Sequence, residues 1–598
     1  MANIKNCNLG FNFNCGLLIL YTIGTIVASL PATASEQPAT SDGNIFTPGE
    51  RNSNHNDPRI KTPDAKPDRQ PVRSVTCQNT DLKSQSQSAF STPTLPEHFT
   101  AREIKVIDST VFSLDQLNRI VKPFVGKDLT PAETQKIADA ITQLYLNKGY
   151  INSRAIPVAG QNNTDNTLVI QVIEGRIAEI EIQGMQRLHP EYICSRVKLG
   201  TRAPLNTAQL ENQLKLLRLD PLFSNVEASL RPTGKSGQTN LIVRVSEANP
   251  LSGSFSVDNY SPPAVGSERL GVAVGDRNLT GIGDELTASY YRTTTGGSDS
   301  LDFSYTVPVN AMNGTVQLRA APNRNKITES PYNKLRIRGS QELYEINYRQ
   351  PLVRSPKQEF ALSLGFAYQE GQTFLFDRLP RPFGSGPDEK GVSRTSVIKF
   401  SQDYTRRDLQ GAWSLRSQFN FGTGLFNATS NPEPIPDGKF FSWVAQAQRA
   451  QRLSNDQLLL VQAELQLTPN SLLPSQSFVI GGGQSVRGYR QNARFGDNGF
   501  RLSVEDRIIA LRNESGLPMI QVIPFIDLGS VWNKPDNPNK QLAQTFLGSA
   551  GLGLLWNEAM GIDHLSFRLD YGIPFINLKD RRNNVQDEGF YFSVRYQP

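Results

Sequence analysis

The chain has 598 residues, 62 basic and 56 acidic side chains, and a formal net charge of +6. That length exceeds what one hydrophobic core fills, so two or more domains are expected, and the dispersed charge contains no basic block with interleaved aromatics of the kind nucleic acid requires. A mean hydropathy of −0.40, with no apolar run near twenty residues beyond the N-terminus, excludes a helical membrane protein.

The N-terminus reads as a secretory signal over residues 1–34. Lys5 precedes the apolar stretch Gly16–Leu30, and Ala32-Thr33-Ala34 has the small-x-small form of a cleavage site. Residues 35–98 are rich in Pro, Ser, Asn, Gln and Asp and almost free of large apolar side chains. Such a segment cannot offset its ordering entropy and reads as a disordered linker. Within it, Asn79–Phe90 has the composition of one polar helix, without an apolar stripe. Cleavage removes Cys7 and Cys15 and leaves Cys77 and Cys194, which in an oxidising compartment form either one bridge or two free thiols.

Residues 99–248 read as a small domain used twice, 99–175 and 176–248. Leu168-Val169-Ile170-Gln171-Val172 recurs 73 positions later as Leu241-Ile242-Val243-Arg244-Val245, and Glu174 falls on Glu247 at the same offset. Ile137, Ile141 and Leu144 fall likewise on Leu210, Leu214 and Leu217. The order predicted in each unit is strand, helix, helix, strand, strand. In the first, Ile104–Ile107 is a strand, Ser113–Val121 a short helix and Ala132–Asn147 a longer one with a single apolar face. Gly149 terminates that helix. Arg154–Val158 and Thr167–Ile173 close the unit.

Residues 249–598 change to strands of about ten residues, the length a tilted membrane strand requires. Leu565, Phe567, Leu569 and Tyr571 alternate with Ser566, Arg568 and Asp570, and aromatics gather near strand ends. About sixteen such segments predict a closed antiparallel membrane β-barrel, an even number that leaves no free edge. The last carries Phe590, Phe592, Val594 and Tyr596 on one face. The polar face assigns Arg416, Glu464, Glu505 and Arg507 to the lumen, with Arg501, Arg568 and Asp570 beside them.

The segment 470–499 is too long for an ordinary turn and too rich in apolar, aromatic and glycine residues for a disordered surface loop, which marks it as functional. Gly481, Gly482, Gly483 and Gly488 permit a tight tip from which Arg487 and Tyr489 project. Further on, alternation in the strand containing Phe525, Asp527 and Gly529 puts Val522, Ile526 and Leu528 on the lipid side and Phe525 and Asp527 inside. An isolated inward carboxylate invites a cation. Arg487 is the candidate partner, and a solvated Arg487 with Asp527 lining a wet channel is the alternative.

Here the sequence resembles a known family. Val486-Arg487-Gly488-Tyr489 and F-x-D-x-G (Phe525, Asp527, Gly529) are similar to the paired signatures of the two-partner secretion transporters, or TpsB proteins, which export filamentous haemagglutinins and haemolysins. The two repeats resemble the POTRA domains of that outer-membrane superfamily. The resemblance implies two α+β POTRA domains in the periplasm before a sixteen-stranded outer-membrane barrel. It also implies that the loop lies inside the barrel with Arg487 paired to Asp527. The partner it implies is an unfolded, haemagglutinin- or haemolysin-like exoprotein, recognised by the POTRA domains and exported without ATP through a single-copy barrel set in outer-membrane lipid. Some family members carry an N-terminal amphipathic helix that plugs the pore, and residues 35–98 lack the stripe for one.

Two other functions share much of this pattern: a factor that inserts other barrels, and a passive porin-like channel. An enzyme does not. His55, His98, His189 and His564 have no metal spacing, and Gly234-Lys235-Ser236 lacks the first glycine of a phosphate loop. No cofactor, metal or nucleic acid is expected.

Overall fold

The structure, a computed structural model, describes residues 74–78, 99–158 and 166–598. The signal expected over 1–34, most of the linker 35–98 and the polar helix expected over Asn79–Phe90 lie outside the described residues.

The first module is a three-stranded sheet in the order Glu103–Ile107, Thr167–Ile173, Arg154–Pro157, the first pair parallel and the second antiparallel. Helices α1 (Leu114–Val121) and α2 (Pro131–Asn147) cover one face. In α2 the side chain of Thr130 accepts from the Glu133 backbone N–H while Glu133 accepts from that of Thr130, so two otherwise orphaned donors are satisfied. Ile137 and Ile141 meet Leu168 and Ile170 in a closed core. Each such side chain stabilises by about 1.5–3 kcal/mol through burial. Gly149, at φ +86°, ends the helix where a side chain would strain the backbone.

The second module repeats the plan with α3 (Pro190–Lys198) and α4 (Thr207–Arg218). Its sheet, however, has four strands, ordered Ser74–Gln78, Arg176–Gln183, Gln238–Glu247, Phe223–Pro232. The added edge strand comes from within the region expected to be a disordered linker. It pairs antiparallel from Ser74↔Gln183 to Gln78↔Glu179, and Cys77 bonds Cys194 of α3. The strand becomes possible because an apolar edge and a disulfide partner are supplied more than a hundred residues later.

The repeated glutamates have one structural role in both modules. Glu174 accepts from the Thr110 backbone N–H (2.7 Å) and from the Tyr145 hydroxyl (2.8 Å). Glu247 accepts from the backbone N–H groups of Gln186 (2.8 Å) and Leu188 (3.0 Å). Each carboxylate thus ties the end of the module to the loop entering its first helix.

The barrel begins at Leu251–Asp258 and closes on Phe590–Tyr596, with pairs from Phe255↔Tyr596 to Asp258↔Ser593. Its strands number sixteen once Thr315–Ala320 and Asn323–Lys326 are read as two segments of one strand and Leu379–Pro380 as an appendage of its neighbour. Every pairing between neighbours is antiparallel. Outward positions carry Leu364, Ile526 and Ile573, all more than half exposed and fit for lipid.

The second module docks on the barrel's short turns. The His189 backbone N–H donates to the Gly281 carbonyl (2.7 Å), and the Arg196 guanidinium donates to the Tyr192 carbonyl (3.0 Å) and Asn313 Oδ1 (3.0 Å) while lying 3.4 Å over the Tyr192 ring. Burial lowers the pKa of Arg196 from its ordinary value and raises that of the Tyr192 hydroxyl.

Candidate functional site

The site grows from strand parity. Along Pro518–Trp532, Ile526 is exposed to the lipid side, so Phe525, Asp527 and Gly529 point inward. On the preceding strand, Asn498–Arg512, register sets Ser503 opposite Asp527 and Glu505 opposite Phe525. Arg568 and Asp570 face inward from Leu565–Pro574. Asp527 and Asp570 are almost wholly buried, and a buried carboxylate is costly unless it is paired.

The cation comes from the loop between Gln457–Leu467 and Asn498–Arg512. Its stem is a small hairpin, Phe478–Ile480 with Arg494–Gly496. Phe478 and Ile480 of the stem and Val486 and Tyr489 beyond it pack with Val531 and Leu547 of the wall, which draws the loop inward by burial of apolar surface. The Gly482 backbone N–H donates to the Val486 carbonyl (3.0 Å), and Gly483 passes against the rings of Tyr260 and Tyr591. Gly488, at φ +89°, turns the tip against the wall at Gly572, where a Cβ would stand 2.6 Å from the Gly488 nitrogen. A Cβ on Gly529 would stand 3.1 Å from the Val486 side chain.

Arg487 therefore arrives in a socket already built. Its Nε donates to Asp527 Oδ2 (2.6 Å), its Nη2 to Asp527 Oδ1 (2.8 Å) and its backbone N–H to Oδ2 again (3.1 Å). Nη1 donates to Glu505 Oε1 (2.6 Å) and lies 3.6 Å from Asp570 Oδ1. The guanidinium sits 3.4 Å over the Phe525 ring. Ser503 holds the carboxylate in place by donating to Asp527 Oδ1 (2.6 Å). A second arginine balances the charge: Arg568 bonds Asp570 (2.7 Å) and Glu505 (3.1 Å). Arg507 Nε lies 3.6 Å from Glu505 on the same face.

The rest of the loop is held as firmly. The Tyr489 hydroxyl donates to the Gly548 carbonyl (2.8 Å) and accepts from the Ile576 backbone N–H (3.3 Å), and Tyr591 donates to the Tyr489 carbonyl. Arg490 pairs with Asp587, and Arg494 with Asp580 at 2.8 Å.

The loop fills the lumen along its last five strands and leaves a chamber of about 650 Å³ against the opposite wall. Both charge signs line it, largely as pairs. Arg501 meets Glu464 at 2.6 Å, Lys399 meets Glu345 at 2.7 Å, and Arg416 reaches Asp403 at 3.9 Å and Gln418 at 2.9 Å. Among the described residues no His, Cys, Asp and Glu group is arranged to hold a metal.

A family model described as haemolysin secretion/activation protein ShlB/FhaC/HecB matches residues 237–555, more than half of the chain. The chain belongs to that family. A ShlB-type POTRA domain matches residues 99–175. The chain is 24% identical over 501 residues to the outer membrane transporter CdiB of Escherichia coli, which covers 80% of this chain and 79% of the relative. It is also 24% identical over 469 residues to the heme/hemopexin transporter protein HuxB of Haemophilus influenzae, covering 74% and 78%. Among solved structures it resembles CdiB from Escherichia coli (TM-score 0.65, 21% identity, 86% of this chain and 93% of that one). CdiB from Acinetobacter baumannii has the same fold (TM-score 0.59, 18% identity, 87% and 95%).

As a ShlB/FhaC/HecB member the chain is an outer-membrane transporter with its POTRA region in the periplasm. That orients the barrel: the short turns under the second module are periplasmic, and the loop carrying Arg487 enters from the outer side.

Sequence alternation turns Phe525 and Asp527 inward and the family resemblance adds Arg487 and Gly529; the structure brings the four together and adds what neither connects. Asp570 and Arg568, expected only as lumen lining, touch the same carboxylates and guanidinium. Ser503, Gly572 and Tyr591 had no sequence assignment. Their shared signal is an inward parity on strands among the barrel's last five, legible only once the register is known.

Proposed function

We propose that this transporter exports an unfolded partner exoprotein of the haemagglutinin or haemolysin kind, recognised in the periplasm by its POTRA modules and passed through the barrel without ATP. The observation that carries this reading is the buried Arg487–Asp527 pair on a loop that lies inside the barrel along its last five strands, beside a polar chamber. Such a pair stores the loop in one defined position, from which it must shift for a chain to pass. Its role is to latch a closed state rather than to perform chemistry.

An extended client docks by main-chain hydrogen bonds to an open sheet edge, which suits partners of variable sequence. One edge of the second module is taken by Ser74–Gln78, so the remaining edges are Phe223–Pro232 there, and Glu103–Ile107 and Arg154–Pro157 in the first module. The chamber's paired charges of both signs avoid strong retention of a passing segment. The wall closes on itself, which supports a single copy acting alone, with folding of the client outside giving direction.

The test is secretion of a candidate large exoprotein in cells carrying the intact chain, Arg487→Ala or Asp527→Ala. Export should fall in both variants while the barrel still reaches the outer membrane. Normal secretion by both would overturn the latch. Loss of other outer-membrane barrels instead of a secreted client would make the chain an assembly factor.

A further inference from the structure

The lipid-facing wall carries a feature that export does not use. On consecutive strands the outward positions Phe303, Ala320 and Tyr344 lie side by side in register, with Leu286, Leu318 and Phe366 below them. Most of these are large, and Ala320 is not. The result is an apolar groove of about 480 Å³ on the lipid-facing side, about midway along these strands.

Directly above it, toward the outside, the same faces turn basic. Arg324 pairs in register with Ser340 and Lys326 with Arg338, so Lys326 and Arg338 are like charges set opposite each other on one face. Opposed like charges destabilise a sheet unless something neutralises them. Among the described residues the carboxylate paired with this row is Asp377, shared between Arg338 (2.6 Å) and Arg336 (3.3 Å). Asp299, opposite Arg324, is 3.4 Å from Arg292. Neither Arg324 nor Lys326 has an ion-pair partner among the described residues, and Arg324 is exposed. From Ser340 to Tyr344 is roughly 10 Å along the membrane normal for a tilted strand, about the drop from a lipid phosphate into its acyl region.

We propose that this wall binds one phosphorylated glycolipid of the outer leaflet, its phosphate on Arg324, Lys326 and Arg338 and an acyl chain in the groove at Ala320. The phosphate relieves the opposed cations through charge-assisted hydrogen bonds, and the chain fills a dent that loosely packed lipid would leave partly empty. Between the basic row and the groove Glu342 faces Glu370, and Arg394 neutralises Glu370 at 2.7 Å. Glu342 is left to repel an anion seated too low and so to bias the phosphate toward the arginine level.

The experiment is native mass spectrometry of the full chain in detergent with bis-phosphorylated lipid A as probe. One molecule per barrel should be retained, at least about tenfold more tightly than phosphatidylcholine. Arg324→Gln with Lys326→Gln should remove most of that preference, and Ala320→Leu should weaken retention without a charge change. Heat-dependent gel migration verifies that each variant is a folded barrel. If a variant does not fold, dephosphorylated lipid A on the unaltered chain reads the same phosphate dependence. Equal retention of lipid A and phosphatidylcholine, or of both forms of lipid A, would overturn the proposal. Unchanged retention in Ala320→Leu would overturn the assignment of the groove.

Discussion

Arg487 and Asp527 stand 40 positions apart in the chain and meet through three hydrogen bonds inside the barrel, one of them from the arginine's own backbone. The backbone bond matters because it survives truncation of the side chain. It separates two effects, the position of the loop and the balance of charge.

Arg487→Ala removes the cation that Asp527, Glu505 and Asp570 share, and leaves Arg568 as the nearest compensation. Removing one member of a buried ion pair costs roughly 3–5 kcal/mol. The strain falls on the loop, because the wall is held by continuous strand pairing. The expected result is rapid trypsin cleavage at Arg490 or Arg494 in an intact, heat-modifiable barrel. Asp527→Asn, which keeps the shape and part of the hydrogen bonding, should be cleaved more slowly than Arg487→Ala. Equal resistance of all three chains to trypsin would show that the loop does not depend on the pair.

Gly572→Ala tests the seat without touching charge. The added Cβ would stand 2.6 Å from the Gly488 nitrogen and 2.9 Å from the Arg487 carbonyl carbon, both backbone atoms that cannot swing away. Overpacking of this kind costs about 1–3 kcal/mol. Loop cleavage should rise as it does in Asp527→Asn, and melting of the barrel should change little. An unchanged cleavage rate would mean that the loop sits further from this wall.

The barrel and the inward carboxylate are legible in the sequence for the same reason, whereas the pairing of Asp527 with Arg487 comes only with the family resemblance. Alternation is a local property, so Phe525 and Asp527 could be assigned inward before any neighbour was known. The 73-residue offset that carries Glu174 on to Glu247 is likewise written in the chain. What local pattern does not carry is register. Gly572 and Tyr591 reach the loop only because strands closing the barrel bring them there, and nothing within ten residues of either says so. The strand Ser74–Gln78 is hidden more deeply. Five residues in a Pro- and Ser-rich stretch have no periodicity to read, and their pairing partner begins at Arg176.

Arg196→Ala should loosen the second module from the barrel. It removes the donor to Asn313 and the guanidinium stacked on Tyr192, and a lost hydrogen bond to a charged group costs about 1.5–3 kcal/mol. The readout is the distance between spin labels on cysteines at Glu211, exposed on α4, and at Glu514, in a periplasmic turn. The distribution should broaden in the variant. A distribution as narrow as in the unaltered chain would place the rigidity elsewhere, in the backbone contact of His189 with Gly281.

The Cys77–Cys194 bond decides which sheet edge is free. An edge strand of five residues is marginal by itself. A cross-link spanning 117 positions removes about 4–5 kcal/mol of chain entropy from the detached state. Without it the strand should leave, and Cys77→Ala with Cys194→Ala should expose the edge of Arg176–Gln183. Hydrogen exchange over residues 176–183 should then quicken by an order of magnitude or more, while the barrel stays protected; a reductant should do the same to the unaltered chain. The variant gains a second edge able to take an extended client, so its affinity for the client should rise if docking is by strand addition. Unchanged protection over 176–183 would mean that pairing alone holds the strand, and that the bond does not govern access to the edge.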